Sequence, residues 1–222
     1  MLIVTDDWKK AYPDACVGVL AMGGVVNPTS HPQLDAKKAE IETKLRALCK
    51  DKGELKNLPE IRAYTAYYKR FKKTYHVLNQ LESIMFKGKS IPRTAALVET
   101  MFMAELHNML LTAGHDLDVI RPPVVLDVSK GDRRYVMLNG KEDELKPGDM
   151  FIADSEGVIS SIVYGPDKRT MINDGTTRVL FTVYGVPGID PAVMERHLDE
   201  MESYVRIVAP DARTEYKGGC GR

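Results

Sequence analysis

Arg134-Tyr135-Val136-Met137-Leu138-Asn139-Gly140-Lys141-Glu142-Asp143-Glu144-Leu145-Lys146-Pro147-Gly148-Asp149-Met150-Phe151-Ile152-Ala153-Asp154 is the stretch on which the fold turns. Two short runs, Arg134–Leu138 and Met150–Ala153, lie on either side of Asn139-Gly140 and Pro147-Gly148-Asp149. Asn and Gly tolerate positive φ, so such a pair beside β-branched runs predicts a hairpin. Val124–Val128, Val158–Tyr164 and Arg178–Tyr184 are further strand-like runs, punctuated by Lys130-Gly131-Asp132 and Glu156-Gly157. The second half therefore reads as a mostly antiparallel sheet.

Toward the N-terminus the pattern becomes helical. Leu34, Ile41, Leu45 and Leu48 recur at helical spacing, and Asp51-Lys52-Gly53 is expected to close that helix. A second helix is expected from Pro59 to about Tyr75, with Ile61, Tyr64, Tyr68, Phe71 and Tyr75 on one face. A third spans Val77–Phe86 with Gly88 after it, and a fourth, rich in Met and Leu, runs from Arg93 to about Ala113. Ahead of these, Ala15–Val26 is small, apolar and uncharged, a buried strand with a bulge or bend at Gly23-Gly24. Asp190-Pro191 starts a last helix with Val193, Met194, Leu198, Met201 and Val205 inward. Arg206-Ile207-Val208 is expected as an edge strand and the tail from Lys217 as a frayed end. The sum is a mixed α/β chain of α+β character, with helices first and a layered sheet after. No linker is visible, so residues 1–222 are expected to form one domain.

Composition narrows the partners. Lys+Arg and Asp+Glu are 31 each, giving zero net charge. A dedicated nucleic-acid-binding domain is usually basic overall, so DNA binding is not expected and any RNA contact must come from a local patch. Cys16, Cys49 and Cys220 form no CxxC, which argues against a disulfide framework or zinc site and for a reducing cytoplasm. MLIVTDDWKK at the start is neither a signal peptide nor a membrane span, and its apolar residues suit a first strand.

Four blocks, in order, resemble the tRNA-binding and editing module of the phenylalanyl-tRNA synthetase beta subunit. Leu138–Asp154 is similar to that family's TLDGxxxxLxxxDLVIAD, and Asp116-Leu117-Asp118-Val119-Ile120 followed by Gly131–Arg134 resembles DLDKL…G…VRxAxxGE. Leu97-Val98-Glu99 stands where the family has VVDxxN, and Thr176–Tyr184 where it has TxxVxLExA. The resemblance implies a cavity-bearing α/β body that binds tRNA or an aminoacyl-tRNA end. It also implies hydrolysis of tyrosine mistakenly joined to the phenylalanine tRNA, here in trans. Selection of that kind works because a site built around a phenol hydroxyl leaves its own polar groups unpaired when phenylalanine enters. Ligase activity is not expected, since the synthetase catalytic core lies outside the matched blocks.

On this alignment the family's Thr-Asn pair falls on Met101 and Phe102, its carboxylate on Thr182, and its AGIMGG loop near Val163-Tyr164-Gly165-Pro166-Asp167. His115 stands roughly where the family has a histidine. His115, Thr176 and Thr177 are thus the candidates for handling an ester and its attacking water. Met101, Phe102, Tyr164, Arg169 and Thr182 are the candidate ligand-binding residues. Since most of the family's ester-cleaving groups are replaced, a non-catalytic binder of RNA, a small aromatic molecule or a protein partner is the alternative on the same scaffold. No cofactor and no metal are expected.

Other features carry two readings each. Lys69, Arg70, Lys72 and Lys73, among Tyr64, Tyr67, Tyr68 and Tyr75, could hold RNA phosphates with tyrosines stacking on bases. The simpler reading is a helix with its aromatics in the core and its lysines in water. Lys87-Gly88-Lys89-Ser90 lacks the earlier glycine of a phosphate loop and reads as a helix cap. His115-Asp116-x-Asp118 could ligate a metal, but no second His or Cys supports it, and turn and cap roles weigh more. Asp167-Lys168-Arg169-Thr170 reads as an exposed hairpin tip, or as a carboxylate or phosphate contact through Arg169.

Overall fold

The computed structural model describes residues 2–220. The chain enters as β1 (Leu2–Val4) and turns into α1 (Asp6–Ala11), whose cap is the Thr5 hydroxyl accepting from the Trp8 N–H. The uncharged run folds as β2 (Cys16–Gly23), buried along its whole length, and Gly24 ends it at φ +70°. Four helices follow: α2 (Pro32–Leu48), α3 (Lys52–Asn57), α4 (Pro59–Arg70) and α5 (His76–Lys87). Then come α6 (Ala96–Asn108), β3 (Thr112–Asp116), β4 (Val124–Val128), β5 (Arg134–Val136), β6 (Glu142–Glu144), β7 (Met150–Asp154), β8 (Gly157–Ser161), β9 (Gly165–Pro166) and β10 (Arg178–Gly185). The chain closes with α7 (Pro191–Val208) and β11 (Arg213–Cys220).

Two sheets divide the strands. One runs β1-β4-β7-β8-β9, the other β11-β2-β10-β3, and β5-β6 form a separate ribbon. Only the β1–β4 pairing is parallel among the described pairs. The mixed α/β class and the antiparallel sheet are as expected. The turn glycines do the work their sequence positions assign them: Gly131, Gly140, Gly148 and Gly157 all have positive φ.

The tyrosines of α4 bind the helix layer to both sheets. The Tyr64 hydroxyl donates to the Tyr184 carbonyl at 2.5 Å, and the Tyr68 hydroxyl to the Ile162 carbonyl at 2.6 Å. Tyr67 donates to Asp149 at 2.9 Å and accepts the Met150 N–H at 2.7 Å. Tyr64 stacks on Tyr75 with ring centroids 4.5 Å apart. Each such aromatic pair contributes about 1 kcal/mol beyond its buried area. All four rings are in the core, so none is available to stack on a base.

Several boundaries differ from expectation. Asp51 does not close α2. Its carboxylate accepts the N–H groups of Gly53 and Glu54 and so caps α3 instead, while Leu48 ends half-exposed. α4 stops at Arg70, leaving Lys72 at φ 55° and Tyr75 as the lead-in to α5. α6 stops at Asn108 because Met109 takes the left-handed conformation, and Thr112–Asp116 are then recruited as β3 alongside β10. Arg206–Val208 belong to α7, not to a strand. The strand at that end is β11, and Lys217–Gly219 pair with β2 rather than fray. Gly221 and Arg222 lie outside the described residues. α7 can lie flat on β2 because residue 18 is glycine: a Cβ there would meet the Met194 sulfur at 2.5 Å.

Candidate functional site

Between α6 and the turn from β8 to β9 lies a cavity of about 200 Å³. Val98, Met101, Phe102 and Glu105 form its helical wall, at the three- and four-residue spacing of one helix face. Thr112, Ala113 and Gly114 of β3 form a second wall, and Ser161, Gly165 and Pro166 a third. Leu138 and Met171, 52% and 39% exposed, stand at the mouth. Gly114 keeps the walls close, since a Cβ there would lie 2.8 Å from Ile172 and 3.2 Å from the Met101 sulfur. Tyr184 crosses from β10 to share a 2.5 Å hydrogen bond with the Ser160 hydroxyl of the other sheet. The result is an apolar, ring-sized space with few polar groups, the usual character of a small-molecule site.

Glu105 is the polar group that stands out. It is 2% exposed, and its sole hydrogen-bond partner among the described residues is the Thr112 N–H, donating at 3.1 Å. Burial pushes its carboxyl up to about 8, because the charged form is poorly solvated there. Sequence reasoning passed over it, although an acid four residues after Met101 on a Met- and Leu-rich helix was a visible signal.

The basic run approaches this cavity at Lys73. Lys69, Arg70, Lys72 and Lys73 are exposed at the end of α4, and none is ion-paired among the described residues. The Arg70 guanidinium lies 5.4 Å from the Tyr12 ring centroid, and the Lys73 ammonium 5.4 Å from that of Tyr164. Tyr164 directly precedes Gly165 in the cavity wall, and His76, three residues after Lys73, also lines the cavity.

The remaining candidates do not line the Met101–Phe102 cavity. His115 is fully buried beside it in sequence, but its Nδ1 is bonded to the Thr170 hydroxyl at 2.8 Å. The Thr170 hydroxyl in turn donates to Asp167. Burial pushes the His115 imidazole down to about 3, so it is neutral, and its Nε2 has no partner among the described residues. Thr176 is buried and donates to Asp116 at 2.8 Å, acting as a loop tie. Thr177 is exposed and donates to Asp118 at 3.3 Å. The three therefore do not converge on one reacting position.

Arg169 is not an exposed tip. Its guanidinium is 2.7 Å from Asp154 and 3.2 Å from Glu156, which knits the loop after β9 to the β7–β8 turn. Thr182 is buried on β10 and faces a different cavity, of about 230 Å³, between β1, β4 and β10. Asp116 caps its own loop, accepting from the Asp118 N–H and from Asn173. No group of three or more His, Cys, Asp or Glu suited to a metal occurs among the described residues.

A family model described as the B3/4 domain matches residues 61–207, a span that contains the whole cavity and the basic run. The phenylalanine--tRNA ligase beta subunit of Mycoplasma pneumoniae is 36% identical over 69 residues, which is 31% of this chain and 9% of that protein. Its counterpart in Mycoplasma genitalium is 33% identical over 69 residues with the same coverage. The match thus takes in less than a tenth of either relative's length. An N-terminal fragment of the phenylalanyl-tRNA synthetase beta subunit from Pyrococcus horikoshii covers all of this chain at a TM-score of 0.52 and 11% identity, with 54% of the fragment matched. At that identity the likeness concerns the fold. Together these matches bear out the resemblance carried by the hairpin and the Asp116–Asp118 turn.

Proposed function

We propose, on the premise that this chain belongs to the B3/4 domain family, that it binds the aminoacyl end of a tRNA. The acyl group enters the Met101–Phe102 cavity, and the nearby phosphates lie along Lys69, Arg70, Lys72 and Lys73. The chain works as one domain and meets its RNA partner in the cytoplasm. The observation that carries this reading is adjacency. An apolar, ring-sized cavity includes Gly165 in its wall, and the residue before it, Tyr164, has the Lys73 ammonium of the exposed basic run 5.4 Å from its ring. Apolar space for a side chain next to positive charge for a backbone is what an acylated RNA end requires.

The scattered positions of His115, Thr176 and Thr177 favour binding over ester cleavage. The measurement is a titration of a labelled acceptor-stem RNA at rising salt, paired with deacylation assays on tyrosyl-tRNA and phenylalanyl-tRNA. Binding that weakens steeply with salt, without acceleration of either deacylation, is the expected pair of results. Faster loss of tyrosine than phenylalanine would restore the hydrolytic reading. No RNA binding at low salt would leave a binder of a small aromatic molecule or protein.

A further inference from the structure

The geometry points to Glu105 as the group that selects the cavity's ligand, and to a protonated primary amine on an apolar, ring-sized body as the chemistry it selects. This rests on the cavity being the acyl site proposed above. Other buried acids are better held: Glu99 has Lys38 at 2.6 Å and Asp154 has Arg169 at 2.7 Å, while Asp149 and Asp116, which lack a cation, each accept from two or more donors. Glu105 has a single backbone N–H, and no lysine or arginine is paired with it among the described residues. A buried carboxyl held so lightly is left short of partners, and a donor brought by a ligand supplies what the protein does not.

The surroundings favour a cation over a neutral donor. Phe102 and Tyr184 present aromatic rings to the cavity, and Met101 a polarizable sulfur. Aromatic faces attract an ammonium; as it enters, Glu105 releases its proton to solvent, and the resulting carboxylate–ammonium pair is strengthened out of water. The titratable groups around Glu105 are His76, Tyr64, Tyr68, Tyr75 and Tyr184, none of which brings a permanent positive charge. A cavity of about 200 Å³ is comparable to spaces of about 150 Å³ that accept benzene, so one ring with a short amine fits. Two sources offer that chemistry: the α-ammonium of an aminoacyl group, or an amine on its side chain.

Calorimetric titration with benzylamine, benzyl alcohol and toluene tests the assignment. Benzylamine is expected to bind at least ten times more tightly than the other two. Glu105→Gln is expected to abolish that preference while toluene still binds. Equal or tighter binding of toluene or benzyl alcohol to the unmodified protein would overturn the inference and leave the cavity a ligand site. So would a benzylamine preference that survives Glu105→Gln. Failure of all three probes to bind would overturn both the inference and the cavity's part in the proposed function. A stem RNA carrying amide-linked phenylalanine, compared with its N-acetylated form, then separates the sources. Weaker binding after acetylation identifies the α-ammonium; unchanged binding excludes it, and a side-chain amine is then identified by tighter binding of the same stem carrying an N-acetylated 4-aminomethylphenylalanine.

Discussion

The Glu105 carboxylate accepts the backbone N–H of Thr112 at 3.1 Å, tying α6 to the first residue of β3. The bond joins those two elements, and the burial of the carboxyl makes stability depend on pH. The carboxyl keeps its proton up to about 8 in the fold, against 4.5 as its ordinary value. Between those values the folded state holds a proton that the unfolded chain has released. Stability therefore falls as pH rises through that window, by up to about 1.4 kcal/mol per pH unit for one such group. Asp149, pushed up to about 7 by burial, contributes a slope of the same sign. Glu105→Gln is expected to flatten the decline between pH 4.5 and 8. Urea unfolding across that range checks it, and an unchanged slope would contradict the assignment.

His115 acts on the acid side. Its imidazole is held neutral down to about 3, whereas the ordinary value is 6.5. The unfolded chain takes up a proton first, so the contribution of this residue is complete above 6.5 and is lost as pH falls. His197, lowered to about 4, behaves in the same way. His115→Leu should lessen the loss of stability between pH 6.5 and 4, measured as the change in urea midpoint.

Thr170 links the Asp167 carboxylate to His115, donating to the first and accepting from the second. Thr170→Val would leave the buried His115 Nδ1 without its partner and take one of two donors from Asp167, which keeps the Thr170 N–H, at about 1–3 kcal/mol. Thr170→Ser keeps the hydroxyl and should recover most of that. Equal destabilisation by both would show that the methyl packing, and not the hydrogen bonds, matters.

Gly114→Ala places a methyl 2.8 Å from the Ile172 Cδ1 and 3.2 Å from the Met101 sulfur. Those two are ends of movable side chains, while the buried Phe181 ring, also 3.2 Å away, must give by a few tenths of an ångström, so the cavity shrinks at a modest cost to the fold. Toluene affinity should drop by roughly tenfold or more, while the cost to stability stays near 1–2 kcal/mol. Undiminished toluene binding would place the ligand elsewhere.

Legibility in the sequence followed locality. The Asn139-Gly140 and Glu156-Gly157 turns, the Gly88 cap and the tyrosine face of α4 were all readable, because each is set by residues within a few positions. The acidic strand β6 was not, since Glu142–Glu144 has no strand character until β5 pairs with it. The glycine-rich β11 exists for its pairing with β2, nearly two hundred residues away. The site divided in the same way. Met101 and Phe102 were named from sequence and line one cavity, and Lys73 of the basic run packs on Tyr164, the residue before the cavity-lining Gly165. His115, Thr176, Arg169 and Thr182 were named beside them, yet tertiary pairing commits the first three to loop ties and turns Thr182 to a second cavity.

The most direct measurement compares an acceptor-stem RNA bearing amide-linked phenylalanine with the same RNA uncharged, by fluorescence anisotropy. The acylated RNA should bind at least tenfold more tightly, about 1.4 kcal/mol. Gly114→Val should erase that difference without weakening the uncharged RNA, and Lys72→Gln with Lys73→Gln should weaken both and lower the salt slope by about 1–2. Equal affinity for the acylated and uncharged RNA, at every salt concentration, would contradict the claim that this cavity receives the acyl group.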